Sequence, residues 1–303
     1  MKKRIVVQGL PDYIRKITTL KPRKTESPLT GYGIVFRGLS DASFKLTPSI
    51  GRTVSPYWMN TIQTKETEQI NQAQLKFPEL FQNSDWPAIN LAKLQHYGIP
   101  TRMMDVTSNA LVGLYFACQS DAKNPDADGE VVAFSGYIYS GFNPFINAIA
   151  DTARLEGNTI QDYNNFYYKI TRQPYFSGEI APDNELERRA EIFRSVTTRP
   201  LIVDVGDIST RQINQQGKFI IFPNKPHYFS RSMGWKTYEE LVKLEKDDKM
   251  VIKEIIVPHS IKQKVLKDLE RVGITEQYLF ADNVDLVCRR IVEKQKELYY
   301  KDR

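Results

Sequence analysis

The sequence predicts an α+β fold, and three observations carry the prediction. Short apolar runs of strand length recur along the chain, among them Ile34-Val35-Phe36, Val131-Val132-Ala133-Phe134 and Val251 to Val257. Amphipathic segments at helical spacing lie between them, and the two kinds do not alternate in the regular order of a doubly wound parallel sheet. The composition, 41% hydrophobic and 26% charged over 303 residues, is that of a globular chain long enough to build a core without disulfides or metals.

Residues 10–20 set Leu10, Tyr13, Ile14, Ile17 and Leu20 at helical spacing, with Pro11 suited to a first turn. Pro22 to Pro28 is a polar break. Ile34-Val35-Phe36 reads as a buried strand ended by Arg37-Gly38, and residues 39–57, which contain Pro48, Gly51 and Pro56, read as loop. Helices are expected over 61–81 and 86–97. Ala110 to Gln119 is apolar nearly all round, the pattern of a helix buried on most sides, and the cap-forming Thr107, Ser108 and Asn109 precede it. Further strands are expected at 131–134, 201–203, 219–222 and 251–257. The tyrosine- and asparagine-rich region 136–180 reads only as helical, and amphipathic helices at 261–272 and 284–300 close the chain.

Charge is distributed unevenly. The net +6 combines eight basic residues and one acid in residues 1–24, six and three in residues 289–303, and a slightly acidic remainder. Basic chain ends read as solvated tails, with a nucleic-acid partner as the less favoured alternative. Two cysteines, Cys118 and Cys288, make no disulfide framework and point to a reducing compartment. Only Ile5-Val6-Val7 follows the basic start, too little for a signal peptide, and the run Ala110 to Cys118 is half a membrane span. A cytoplasmic protein with no membrane partner is the expectation.

The familiar catalytic patterns are missing. The three histidines, His96, His227 and His259, are scattered without a CxxC, so no metal site is expected. Gly31-Tyr32-Gly33 lacks the third glycine of a dinucleotide loop, and no Walker or GxSxG pattern occurs. What remains is a polar stretch from Gln95 to Asn109, flanked by two apolar helices and read as a partly buried loop whose polar groups need partners. A purely structural account pairs Arg102 with Asp105 and has Thr107 cap the next helix. The functional account makes the same groups a ligand site, with Arg37, next to a glycine, as an anion ligand.

These segments carry a resemblance. Phe36-Arg37-Gly38, then Leu46-Thr47-Pro48-Ser49-Ile50-Gly51-Arg52, Gln95-His96-Tyr97-Gly98-Ile99-Pro100-Thr101-Arg102-Met103-Met104-Asp105 and Ala110 to Cys118 resemble the FRG domain family, named for its Phe-Arg-Gly triplet. The likeness continues in Gln215-Gln216-Gly217-Lys218-Phe219 and in Val272-Gly273-Ile274 to Asp282. It implies one domain over 10–290 with a variable insertion at about 136–200, a basic segment 1–9 before it and a basic helix end, 291–303, after it. Met103-Met104 stands where the family usually has a leucine pair, and Val106 where it has an aromatic residue.

In motif order the chain is also similar to the Arg-Ser-Glu class of ADP-ribosyltransferases. That resemblance implies a mixed sheet core with surrounding helices and NAD as substrate. Arg37, Tyr97, Thr101, Arg102, Thr107 and Asn109 would hold the cofactor, and Gln216, Asp105 and His96 would stand at the reacting bond. Gln216 falls where the class has a carboxylate, so it can hold ribose hydroxyls but cannot offset the charge of an oxocarbenium-like transition state. Asp105, or Glu179, Glu185, Glu187 or Glu191, would supply that charge. Otherwise the domain is a nucleotide-binding or anion-binding module without turnover. An acceptor macromolecule is not readable, and a toxin or phage-defence role is an expectation by analogy.

Overall fold

Period-two alternation of apolar residues builds the sheet at the centre of the computed structural model, which describes residues 4–22, 31–52, 62–81, 86–156, 169–176, 198–225 and 241–281. Its strands are β1 (Arg4–Val6), β2 (Tyr32–Leu39), β3 (Met103–Thr107), β4 (Gly129–Ser140), β5 (Leu201–Asp204), β6 (Gly217–Ile221) and β7 (Val251–Val257). They run in the spatial order β1-β7-β4-β2-β3-β6-β5. The long β4 changes partner along its length. Gly129 to Phe134 pairs antiparallel with β7, the register shifts between Ala133 and Phe134, and Ile138 to Ser140 then pairs parallel with β5. That second pairing closes β4-β2-β3-β6-β5 into a barrel, with β7 and β1 continuing from it as a flange.

Side chains sort by parity along each strand. Val35, Leu39, Met104, Val106, Val132, Phe134, Ile202 and Ile220 fill the barrel interior, closed below by Leu46, Ile50, Leu241 and Leu244. The residues between them face outward into two helical layers. Phe36, Val131, Ala133, Ile255 and Val257 pack against α1 (Leu10–Ile17), α5 (Ala110–Ala117) and α8 (His259–Arg271). Met103, Leu201, Val203, Phe219 and Ile221 pack against α3 (Ile62–Lys76), α4 (Pro87–His96) and α6 (Pro144–Glu156). Three short helices complete the described set: α2 (Ser49–Arg52), α7 (Thr210–Gln215) and α9 (Glu276–Leu279).

Several expectations change here. The segment after Thr101 is not loop but β3, because Met104 and Val106 face the barrel while Asp105 and Thr107 face out, an alternation masked by the polar residues around it. Residues 4–6, part of the basic segment 1–9, form β1 alongside β7. Within the expected insertion at 136–200, β4 runs on to Ser140, and α6 buries Ile146, Ala148, Ile149 and Ala150 in the core. Its fully buried Asn147 accepts the backbone N–H of Ala88 at 3.1 Å and donates to Gly141 O at 2.8 Å, serving the uncapped first turn of α4. The expected helix at 284–300 lies outside the described residues.

Candidate functional site

The Phe36-Arg37-Gly38 triplet divides its side chains between the two faces of β2. Phe36 and Gly38 face α5, where helix and strand approach so closely that a Cβ on residue 38 would lie 2.1 Å from Gly113 O and 2.6 Å from Ala117 N. Only glycine permits that contact. Arg37 faces the opposite way: its register partner is Val132, and its same-face neighbours Val35 and Leu39 belong to the barrel interior.

The ladder between β2 and β3 has a single register pair, Phe36 with Thr107. Beyond it the α2 segment docks onto the start of β3, with Ile50 N donating to Thr101 O at 3.3 Å and Thr101 N donating to Ser49 Oγ at 3.2 Å. The Arg37 guanidinium enters this split. Its Nη1 donates to Asp105 O at 2.5 Å, a carbonyl with no ladder partner on β2, whereas its Nε is buried and has no hydrogen-bond partner. Burial pulls its pKa down to about 10, opposed by the Asp105 carboxylate and assisted by the positive charge of Arg52. Arg37 is therefore charged at neutral pH, with an unmet N–H whose desolvation costs about 1–3 kcal/mol.

Arg102 stands in contrast. It is fully buried against Glu66, which is 1% exposed. Glu66 Oε2 accepts Nε at 2.7 Å and Nη2 at 2.5 Å, Oε1 accepts the Arg102 backbone N–H at 3.0 Å, and Nη1 donates to Ile149 O at 3.1 Å. The structural pairing of Arg102 with Asp105 is thus corrected: the partner is Glu66 on α3, and the guanidinium, with an acceptor at each of its three nitrogens, ties α3 and α6 to β3. Glu66 carried no sequence signal, being one carboxylate on a polar helix. Thr101 is equally occupied, donating to Gln95 Oε1 and accepting from Met103 N.

At the other end of β3, Thr107 Oγ1 donates to Gln215 O at 2.6 Å and accepts from Asn109 N at 2.9 Å. The cap of α5 is Asn109, whose side chain accepts from Leu111 N at 3.0 Å; Thr107 does not cap the helix directly. Gln216 takes the left-handed conformation after α7, at φ 47°, with its side chain exposed and its carbonyl accepting from Ser108 N at 3.0 Å. Register places Arg37, Thr107 and Gln216 at one level of the sheet, since Phe36 pairs with Thr107 and Thr107 with Gly217. They do not share a face, because Arg37 points into the barrel and Thr107 out of it.

His96 and Asp105 do come together. Both line an outer cleft of about 110 Å³ over β3 and β6, bounded by α4 and α7, with Gln215 and Gly217, the neighbours of Gln216, in its wall. Lys218 at its edge pairs with Asp204, and Arg211 lies over the Phe280 ring at 4.8 Å. Tyr97 is 59% exposed and meets the rings of His96 and Phe81 edge-on. Among the described residues no cluster of three histidine, cysteine, aspartate or glutamate side chains could hold a metal, and no helix is long and apolar enough to cross a membrane.

Comparison with protein families matches residues 33–126 to the FRG domain. Residues 33–126 carry an FRG domain. The matched stretch runs from β2 through α2, α3, α4 and β3 to just beyond α5, so it holds both arginines, the Glu66 partner and the glycine contact. Strands β4, β5, β6 and β7 follow it, and β1 precedes it. No curated protein and no solved structure matches the chain. Within the FRG domain the triplet has a physical division of labour: Phe36 fills the helical layer, Gly38 admits α5, and Arg37 is left facing the split.

Proposed function

We propose that the FRG domain binds a nucleotide, NAD in the first instance, through its phosphates at Arg37, and that binding without turnover is its main activity. The observation that carries this reading is the buried, unpartnered Arg37 Nε beside a second cation, Arg52. An anion with two or more oxygens supplies the missing acceptor and offsets the repulsion between the two guanidiniums, and diphosphate suits a guanidinium fork. Turnover has less support, because Thr107 and Gln216 do not share Arg37's face and Gln216 brings no carboxylate.

A second reading, cleavage or transfer of the ADP-ribose of NAD, rests on a separate observation. The exposed carboxylate of Asp105 and the His96 ring line one cleft, while Asp105 O holds Arg37. In that reading Asp105 offsets charge as the nicotinamide–ribose bond breaks, and His96 serves the incoming nucleophile. Calorimetric titration with NAD, ADP and pyrophosphate, run beside a nicotinamide-release assay, separates the two. Heat that depends on Arg37 without release supports the binding module, and release lost in Asp105→Asn supports the transferase. No heat from any of the three at millimolar concentration contradicts both.

A further inference from the structure

A second cavity, within the helical layer of α3, α4 and α6, has the makings of a separate ligand site. It lies between α3, α4 and α6 and the turn at Pro174–Phe176, and its volume is about 210 Å³. An apolar cavity of about 150 Å³ is enough to admit a benzene ring. Ile70, Leu91, Leu94 and Ala150 give it apolar walls. Its polar side is one network: Asp151, 2% exposed, accepts Arg154 Nε at 2.6 Å, Arg154 Nη2 at 2.5 Å and Tyr175 Oη at 3.0 Å. Gln173 Oε1 accepts Nη2 as well, at 2.8 Å.

This network is more than an internal ion pair needs. Arg154 is half exposed, lines the cavity and is locked at two of its nitrogens, yet its Nη1 has no partner among the described residues. A guanidinium fixed by a buried carboxylate and presenting a spare pair of N–H groups beside an apolar wall is preorganised for an acceptor carried on an apolar body. The charge of Asp151 cancels that of Arg154, so a second carboxylate in the cavity would face Asp151 as well as the guanidinium. A neutral carbonyl meets the N–H groups without that repulsion.

We infer that this cavity binds a single-ring amphipathic amide or similar neutral carbonyl compound, with the ring against Leu91, Leu94 and Ala150 and the carbonyl on Arg154 Nη1. The site is independent of Arg37 and of the outer cleft. Benzamide is the probe, followed by ¹⁵N amide shifts of the full chain, with benzoate as the charged comparison. Saturable shifts at Leu91, Leu94, Ala150 and Asp151 are expected, with benzoate binding at least about tenfold more weakly. Arg154→Lys, which can hold Asp151 but not present the spare fork, should weaken benzamide about tenfold. Because that change touches a buried pair, Gln74→Trp, placed in the cavity wall and leaving the network intact, should block binding with an unchanged melting temperature. Absence of shifts at about 10 mM benzamide, shifts centred elsewhere, equal binding of benzoate, or undiminished binding by both variants would each overturn the inference.

Discussion

Arg37 and Arg102 are two arginines of one signature that sequence alone would assign to the same ligand, and the fold gives them opposite work. Each guanidinium nitrogen of Arg102 has an acceptor inside the protein, Glu66 Oε2 for Nε and Nη2 and Ile149 O for Nη1, and the side chain joins two helices to a strand. Arg37 has one carbonyl, a buried Nε without an acceptor, and a cationic neighbour. The difference lies not in residue type but in whether the chain satisfies the donors it buries. A satisfied guanidinium is architecture, and an unsatisfied one invites a ligand.

The largest effect should come from breaking the satisfied pair. Arg102→Ala leaves the Glu66 carboxylate buried without compensation and should cost about 3–5 kcal/mol in urea unfolding, whereas the paired change Arg102→Met with Glu66→Leu should recover most of that loss. A loss below about 1 kcal/mol for the single variant would mean that Arg102 is not the structural partner of Glu66. Next, Gly38→Ala forces a methyl against the α5 backbone and should destabilise by about 1–3 kcal/mol, read as a lower urea midpoint. Arg37→Gln should change stability by less than about 1 kcal/mol, since it removes an unmet donor, while lowering NAD affinity at least tenfold. Similar stability losses for Arg37→Gln and Arg102→Ala would erase the contrast between them.

A further test concerns the wall behind Gly38. Cys118, at the end of α5, is 1% exposed, and burial pushes its thiol up to about 12, with Lys262 partly opposing. Its native reaction with a thiol reagent at pH 8 should be about a thousandfold slower than that of a free cysteine, followed by mass spectrometry of the Cys118 peptide. Rapid labelling would mean that α5 leaves the sheet readily.

The elements legible in the sequence were those with one strong pattern. The all-apolar α5, the strands at 131–134, 201–203, 219–222 and 251–257, and the helix at 261–272 each overlap an observed element of the expected type, with 110–119, 219–222 and 261–272 running one or two residues past its end. β3 was not legible because its outward face is polar, Asp105 and Thr107, and because its inward pair, Met104 and Val106, is too short a run to show a period. For the site, the signature drew attention to both arginines but could not rank them. Ranking required Glu66, which lies 36 residues away and becomes a partner only when α3 packs beside β3. The outer cleft was legible as residue types, His96 and Asp105, but its other wall comes from α7, more than a hundred residues later.

Where the anion sits is tested most directly by a crystal structure of the protein with ADP bound. A phosphate oxygen is expected within hydrogen-bond distance, about 3 Å, of Arg37 Nε, with Arg52 turned toward the same group and the Arg102 to Glu66 pair unchanged. Diphosphate held elsewhere, or Arg37 Nε bonded only to the chain itself, would contradict it.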